Sequence, residues 1–316
     1  MKPLHTFFIT LGCCLLAAAV HAQNIPYRFA TRAEAQMLIT DIDNYTRNWN
    51  QFDIDVRLQK QEGRKSQLLT LAMNETRNWA DKDKERVNKA MKEIAARIGK
   101  NKFVLPFPKE LVLVKTSMKE ENNMPGYTRE NWIAIGENTL NSIPDDSLQY
   151  LLCHEIFHIL TRTDATFRRD MYQTIGFTVL DRDILFPADM IERRISNPDI
   201  SRYDSYGSFT IDGSRQNCTV LMYTDRPYAG GKLSEYAQVG LIPLNEQFIP
   251  LQINGKTVVY PLDKAEDFHI QMGKNAPHAS CPEEILADNF ACTVLNKAYM
   301  PNPEIAEQMR NILSKK

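Results

Sequence analysis

Charge imbalance, cysteine and long apolar runs are all scarce in this 316-residue chain. Lys and Arg number 38 against 39 Asp and Glu, for a formal net charge of −1. No basic patch with interleaved aromatics is present, so the composition argues against a nucleic-acid partner. Of the 6 cysteines, Cys13 and Cys14 fall in an N-terminal apolar stretch, which leaves Cys153, Cys218, Cys281 and Cys292. None of these has the CxxC spacing of a structural zinc site. In an oxidising compartment they allow up to two disulfides, and the pairing stays open. Cys153 and Cys292 lie in apolar helical segments and read equally well as buried thiols. After residue 22 no segment is apolar enough to span a bilayer. Repeats and low-complexity segments are absent too.

The apolar run that does exist comes first. Lys2 supplies a positive start, Phe7 to Val20 is uncharged and apolar, and Val20-His21-Ala22 is a small-x-small cleavage site. Residues 1–22 therefore read as a signal peptide cleaved near Ala22-Gln23, and the mature protein as secreted or periplasmic. An uncleaved anchor is the alternative, although the run is short for a membrane span. The remainder, from about Gln23 to Lys316, is long enough for a large core.

Patterning divides this remainder into four stretches. Residues 23–102 read as a helical region. Within it, Val87, Met91, Ile94 and Ile98 form an apolar stripe at helical spacing in the charged segment Asp81 to Lys100. Residues 103–177 open on strand candidates, Leu111-Val112-Leu113-Val114 and Asn131 to Gly136, and continue into helices, the second over Ala165 to Ile175. Residues 178–272 are strand-rich and loop-rich, with a hairpin turn at Asn254-Gly255. Residues 273–316 return to helices, about Pro282 to Lys297 and Pro303 to Ser314. The expected fold class is α+β.

What the chain does have is His154-Glu155-Ile156-Phe157-His158, inside the apolar run Leu151 to Leu160. Four residues apart on a helix, the two imidazoles share one face and can bind one metal ion together. Glu155 is next to the first and can reach a water on that metal. The bland alternative is a core helix with two hydrogen-bonded histidines. The flanks speak for the metal. Ser142-Ile143-Pro144-Asp145 looks like a helix start with Ser142 as cap, and Leu148, Leu151, Leu152, Ile156 and Ile159 form a buried face. Two histidines and a glutamate without partners are costly in such a helix.

A catalytic zinc site needs a third protein ligand. In Ser280 to Phe290, Ser280 and Glu283 match a capping box around Pro282. Glu284 then falls in the first turn, and Asp288 one turn later on the same face. Glu284 can bind the metal while Asp288 fixes the ring of a ligand histidine. An acidic first turn favoured by the helix dipole explains Glu283 and Glu284 but not Asp288 on an apolar face. Asp164, His269 and His278 are rival third ligands.

His154-Glu155-x-x-His158 with a downstream Glu284-x-x-x-Asp288 resembles the gluzincin metallopeptidases, the thermolysin-like branch of the zincins. The resemblance covers two motifs and the strand Asn131 to Gly136, about a fifth of the chain. It implies a zincin-like catalytic core, Zn2+ as cofactor, His154, His158 and Glu284 as metal ligands, Glu155 as general base and Asp288 as support to a histidine. It further implies that Asn131 to Gly136 is the edge strand for an extended substrate. The separation between His158 and Glu284 is much longer than in thermolysin and requires the strand-rich stretch to be an insertion. Asp164 sits where metzincins place a ligand, but Thr161 stands where that family needs Gly. The expected activity is hydrolysis of a peptide or protein. A zincin scaffold that only binds, or a hydrolase of a non-peptide amide, are the other readings. Tyr172, Tyr223, Tyr236, His269 and His278 are candidate oxyanion donors.

Overall fold

The computed structural model describes residues 24–276 and 281–314. The expected signal segment and its cleavage point before Gln23 lie outside the described residues, as do His278 and Ser280.

Strand β1 (Tyr27–Phe29) leads into α1 (Arg32–Ile39), α2 (Asn44–Arg47), α3 (Gln51–Leu58), α4 (Lys65–Glu75) and α5 (Asp81–Asn101). Thr31, Asp43 and Asn50 start the first three by accepting the N–H groups of Glu34, Thr46 and Asp53. The stripe on α5 is buried as its spacing predicts: Val87, Met91, Ile94 and Ile98 all enter the main core. Each such side chain contributes about 1.5–3 kcal/mol by burial.

Strands β2 (Leu111–Thr116), β3 (Gly126–Arg129) and β4 (Trp132–Gly136) join β1 in a sheet of order β1-β2-β4-β3. β2 runs parallel to β1 and β4, and β3 is antiparallel to β4. This corrects one expectation. Asn131 to Gly136 is not an edge: its strand β4 is buried along its whole length between two neighbours. The edge on that side of the sheet is β3, a strand too short for the apolar pattern to flag.

Then come α6 (Glu137–Ser142), α7 (Asp145–Thr163) and α8 (Ala165–Gln173). Ser142 ends α6 and does not start α7, whose N-cap is Pro144. The strand-rich stretch that follows holds β5 (Phe177–Val179), α9 (Ala188–Ile191), β6 (Ser205–Ile211), β7 (Ser214–Tyr223), β8 (Gln238–Pro243), β9 (Gln252–Ile253), β10 (Lys256–Thr257), β11 (Tyr260–Pro261) and α10 (Phe268–Met272). Five of its strands pair antiparallel in the order β11-β8-β7-β6-β5. β9 and β10 form the hairpin expected at Asn254-Gly255, both turn residues having positive φ (53° and 75°), as a type I′ turn requires. Helices α11 (Pro282–Val294) and α12 (Pro303–Leu313) close the chain.

The class is α+β. One core runs through the molecule. Leu113 and Ile133 of the first sheet, Leu152, Ile156 and Phe157 of α7, Phe209 and Leu241 of the second sheet and Phe290 of α11 belong to it. The strand-rich stretch thus packs into the same core as α7. Cys153 and Cys218 are buried free thiols, and Cys292 is a partly buried one. Among the described residues no helix is long and apolar enough to cross a membrane.

Candidate metal centre

The site forms where α7 meets α11. Phe157 packs on Phe290 with ring centroids 5.4 Å apart, and both pack on Phe167 of α8. These contacts fix how the two helices face each other. One turn of α7 carries His154 and His158 on the facing side, with imidazole centroids 4.8 Å apart. The first turn of α11, held by Cys281 as N-cap and Pro282 at N1, brings up Glu284.

Glu284 Oε2 lies 3.0 Å from His154 Nε2 and 3.8 Å from His158 Nε2. A four-coordinate ion with ligand bonds of about 2.0–2.2 Å holds its donors roughly 3.3 Å apart. The three donor atoms therefore fit one metal ion, and they are a group with metal-holding spacing. His158 supplies a second observation. Its Nε2 is buried and has no hydrogen-bond partner among the described residues. A buried imidazole nitrogen left in this state is costly, and a ligand bond would remove the cost.

The remaining nitrogens are engaged. His154 Nδ1 bonds Asp288 Oδ1 at 2.9 Å, and Tyr150 Oη donates to the same oxygen at 2.8 Å. Asp288 thus stands where the one-turn spacing puts it. His158 Nδ1 meets Glu283 Oε1 at 3.3 Å. Glu283 is the part that sequence reasoning missed. Instead of capping its helix it is buried, accepts from Thr161 Oγ1 at 2.6 Å and Tyr172 Oη at 2.5 Å, and pairs with Arg168 at 3.0 Å. Arg168 in turn holds Asp204 at 2.6 Å.

Two residues from the insertion also arrive unannounced. Asn197 Nδ2 donates to Glu284 Oε1 at 2.6 Å. Asp199, buried, forms with Glu155 and His158 a second group of close metal-type donors. Glu155 itself is 2% exposed, and its Oε2 has no hydrogen-bond partner among the described residues. Gly126 of β3 backs onto it: a Cβ there would stand 2.9 Å from Glu155 Oε1, so glycine lets the edge strand approach.

Carboxylates outnumber imidazoles here, and the electrostatics favour a cation. Burial opposes charge on His154, but hydrogen bonds to Asp288 and Glu284 prevail and raise its pKa well above the usual imidazole range. His158 is raised as well: burial again opposes, and Asp199 and Glu284 outweigh it. Glu284 is held down to about 2, the positive rings overcoming its burial. Burial, with Asp199 nearby, pushes the Glu155 carboxyl up to about 8. The protons drawn to the rings occupy the place that a divalent ion would take on the same donors.

Two of the three rival ligands go elsewhere. Asp164 accepts the N–H of Phe167 at 2.8 Å and caps α8. His269 is exposed on α10, and His278 lies outside the described residues. Among the oxyanion candidates, Tyr172 is committed to Glu283. Tyr236 bonds the Gly230 carbonyl at 2.7 Å, and Tyr223 packs under Arg193. Compared with known protein families, the chain matches no family model, and no solved structure matches it.

Proposed function

We propose that this protein is a zinc-dependent peptidase that acts outside the cytoplasm on peptide or protein substrates. The observation that carries the reading is the convergence of two imidazoles and one carboxylate on a single point, with the buried His158 Nε2 making no hydrogen bond among the described residues. A His2Glu donor set with an open position is that of catalytic rather than structural zinc. The resemblance to gluzincins in the two motifs supports the same conclusion.

Zinc held by His154, His158 and Glu284 would lower the pKa of a water and polarise the scissile carbonyl. Everything else is done by side chains. Glu155 sits one residue from a ligand, its carboxyl close to His158 and one of its oxygens making no hydrogen bond among the described residues, so it takes the proton of the attacking water and returns it to the leaving amine. Asp288 and Glu283 each take the far nitrogen of one ring, which fixes the ring and keeps the other nitrogen directed at the metal. Export as expected from residues 1–22 places the activity in the periplasm or medium.

Metal analysis and turnover test this together. The mature chain should carry about one zinc, and His154→Ala or His158→Ala should abolish it. Glu155→Gln should keep the zinc and lose turnover of a peptide library by roughly 100- to 10,000-fold, because only proton transfer is removed. Stoichiometric zinc in both histidine variants, or equal cleavage by wild type and Glu155→Gln, refutes the reading.

A further inference from the structure

Residues 196–200 cross the candidate site and are tied down at three points. At one end, Ser196 donates through its N–H and Oγ to Asp53 of α3, at 2.9 and 2.7 Å, and Arg57 donates to the Ser196 carbonyl at 2.8 Å. Arg57 is itself pinned by Asp53 and by Glu121 at 2.7 Å, all three buried. In the middle, Asn197 bonds the metal-facing Glu284. At the other end, Asp199 Oδ1 accepts from the backbone N–H and the Oγ1 of Thr128, at 2.6 and 2.8 Å.

Thr128 is the telling contact. β3 is the edge strand, and its bonded pairs with β4 alternate with non-bonded ones. Gly136 N–H bonds the carbonyl of Pro125, which leaves the amides of Gly126 and Thr128 on the outer side. These are the groups an added strand would use. The outward amide of Thr128 is already taken by Asp199. Arg162 adds to the closure by bonding the carbonyls of Glu130 and Asp199, at 2.9 and 3.2 Å.

Two cavities border this segment, and Asn197, Ile200 and Tyr203 line both. The one that Glu283 also lines is about 20 Å³, room for little more than one water. The other, which reaches Asn44, Phe186 and Ser196, is about 290 Å³.

We propose that residues 196–200 form an internal strap that holds the substrate strand's place on the edge of β3. To admit a peptide it lets go of Thr128 and Glu284 and moves into the larger cavity, while Asp53 and Arg57 keep its N-terminal end attached. The effect on turnover rests on the peptidase reading; the motion does not.

Two variants test it: Asp199→Ala, which removes the bond to the edge, and Thr128→Cys/Asp199→Cys, which under oxidation ties the strap to the edge. Hydrogen exchange of the wild type should show the Thr128 and Ile200 amides opening together, at lower free energy than the amides of α7. Oxidation of the double variant should slow Ile200 exchange, and reduction should restore it. If Thr128 opens only with α7, the strap does not move and the proposal falls. Turnover of an unstructured casein substrate should rise roughly tenfold or more in Asp199→Ala, which removes both hydrogen bonds from Thr128 to a charged group. It should vanish in the oxidised double variant and return on reduction. A zinc-loaded Asp199→Ala or reduced double variant less active than wild type also overturns the proposal, because Asp199 would then serve catalysis. No turnover in any form, with the amides still opening together, refutes the peptidase reading and leaves the strap standing.

Discussion

His154 and His158 stand one turn apart on the same helix and face the same carboxylate, yet they are supported in opposite ways. His154 is at the rim. Its side chain is 16% exposed, and Asp288 and Tyr150 complete its shell near solvent. His158 is fully buried, and its far nitrogen leads through Glu283 to Thr161, Tyr172, Arg168 and Asp204. The two rings therefore draw on different reserves. Losing support at the rim exposes a ring to water, which replaces the lost partner. Losing it in the interior leaves buried charges without partners, which water cannot reach.

The largest effect should follow from Glu283→Ala. It leaves Arg168 with Asp204 alone and removes the partner of His158. Breaking a buried ion pair on one side costs about 3–5 kcal/mol, so a clear fall in melting temperature is expected. Zinc affinity should drop by roughly 10- to 100-fold or more. Calorimetry and a zinc titration check both. Unchanged stability would mean that the interior support is not what distinguishes His158.

Asp288→Ala is the matching change at the rim. Zinc affinity should again fall by roughly 10- to 100-fold, because the ring of His154 loses its orienting carboxylate. Stability, however, should change by about 1 kcal/mol or less, since Tyr150 and His154 can turn to water. A loss as large as that of Glu283→Ala would erase the contrast between the two rings.

How much of this was legible in the sequence follows the same divide. The rim half was written in spacing: His154 to His158 and Glu284 to Asp288 are each one helical turn, and a turn has a fixed geometry. The interior half was not. Glu283 in a first turn looks like any acid placed for the helix dipole. Its role depends on Arg168 and Tyr172, which come from another helix more than a hundred residues earlier. Asn197 and Asp199 lie in a loop without periodicity, so no pattern could direct them to Glu284 and Thr128. The edge strand was misplaced for a related reason. β4 has the apolar run, but burial on both sides is what makes a run apolar, and an edge such as Gly126 to Arg129 has no need of one. The cap of α7 went wrong locally: Ser142 ends the preceding helix, and the residue adjoining α7, Pro144, is its N-cap.

The smallest effect separates the metal from the scaffold that holds its interior support. Asp164, the rival ligand, caps α8 through the N–H of Phe167. That helix carries Arg168 and Tyr172, the two groups that grip Glu283 from below. Asp164→Ala should therefore cost about 1 kcal/mol of stability, the usual cost of a lost cap. It should barely touch zinc affinity, because no donor atom is removed and His154 keeps Asp288. Asp164→Asn should recover most of the stability, since the amide oxygen can accept the same N–H. A zinc titration beside thermal unfolding of both variants reads the two effects separately. If Asp164→Ala weakens zinc as much as Asp288→Ala does, Asp164 belongs to the site itself. If the alanine variant loses stability and Asn restores it while zinc affinity holds, α8 acts on the metal centre only by keeping Glu283 in place.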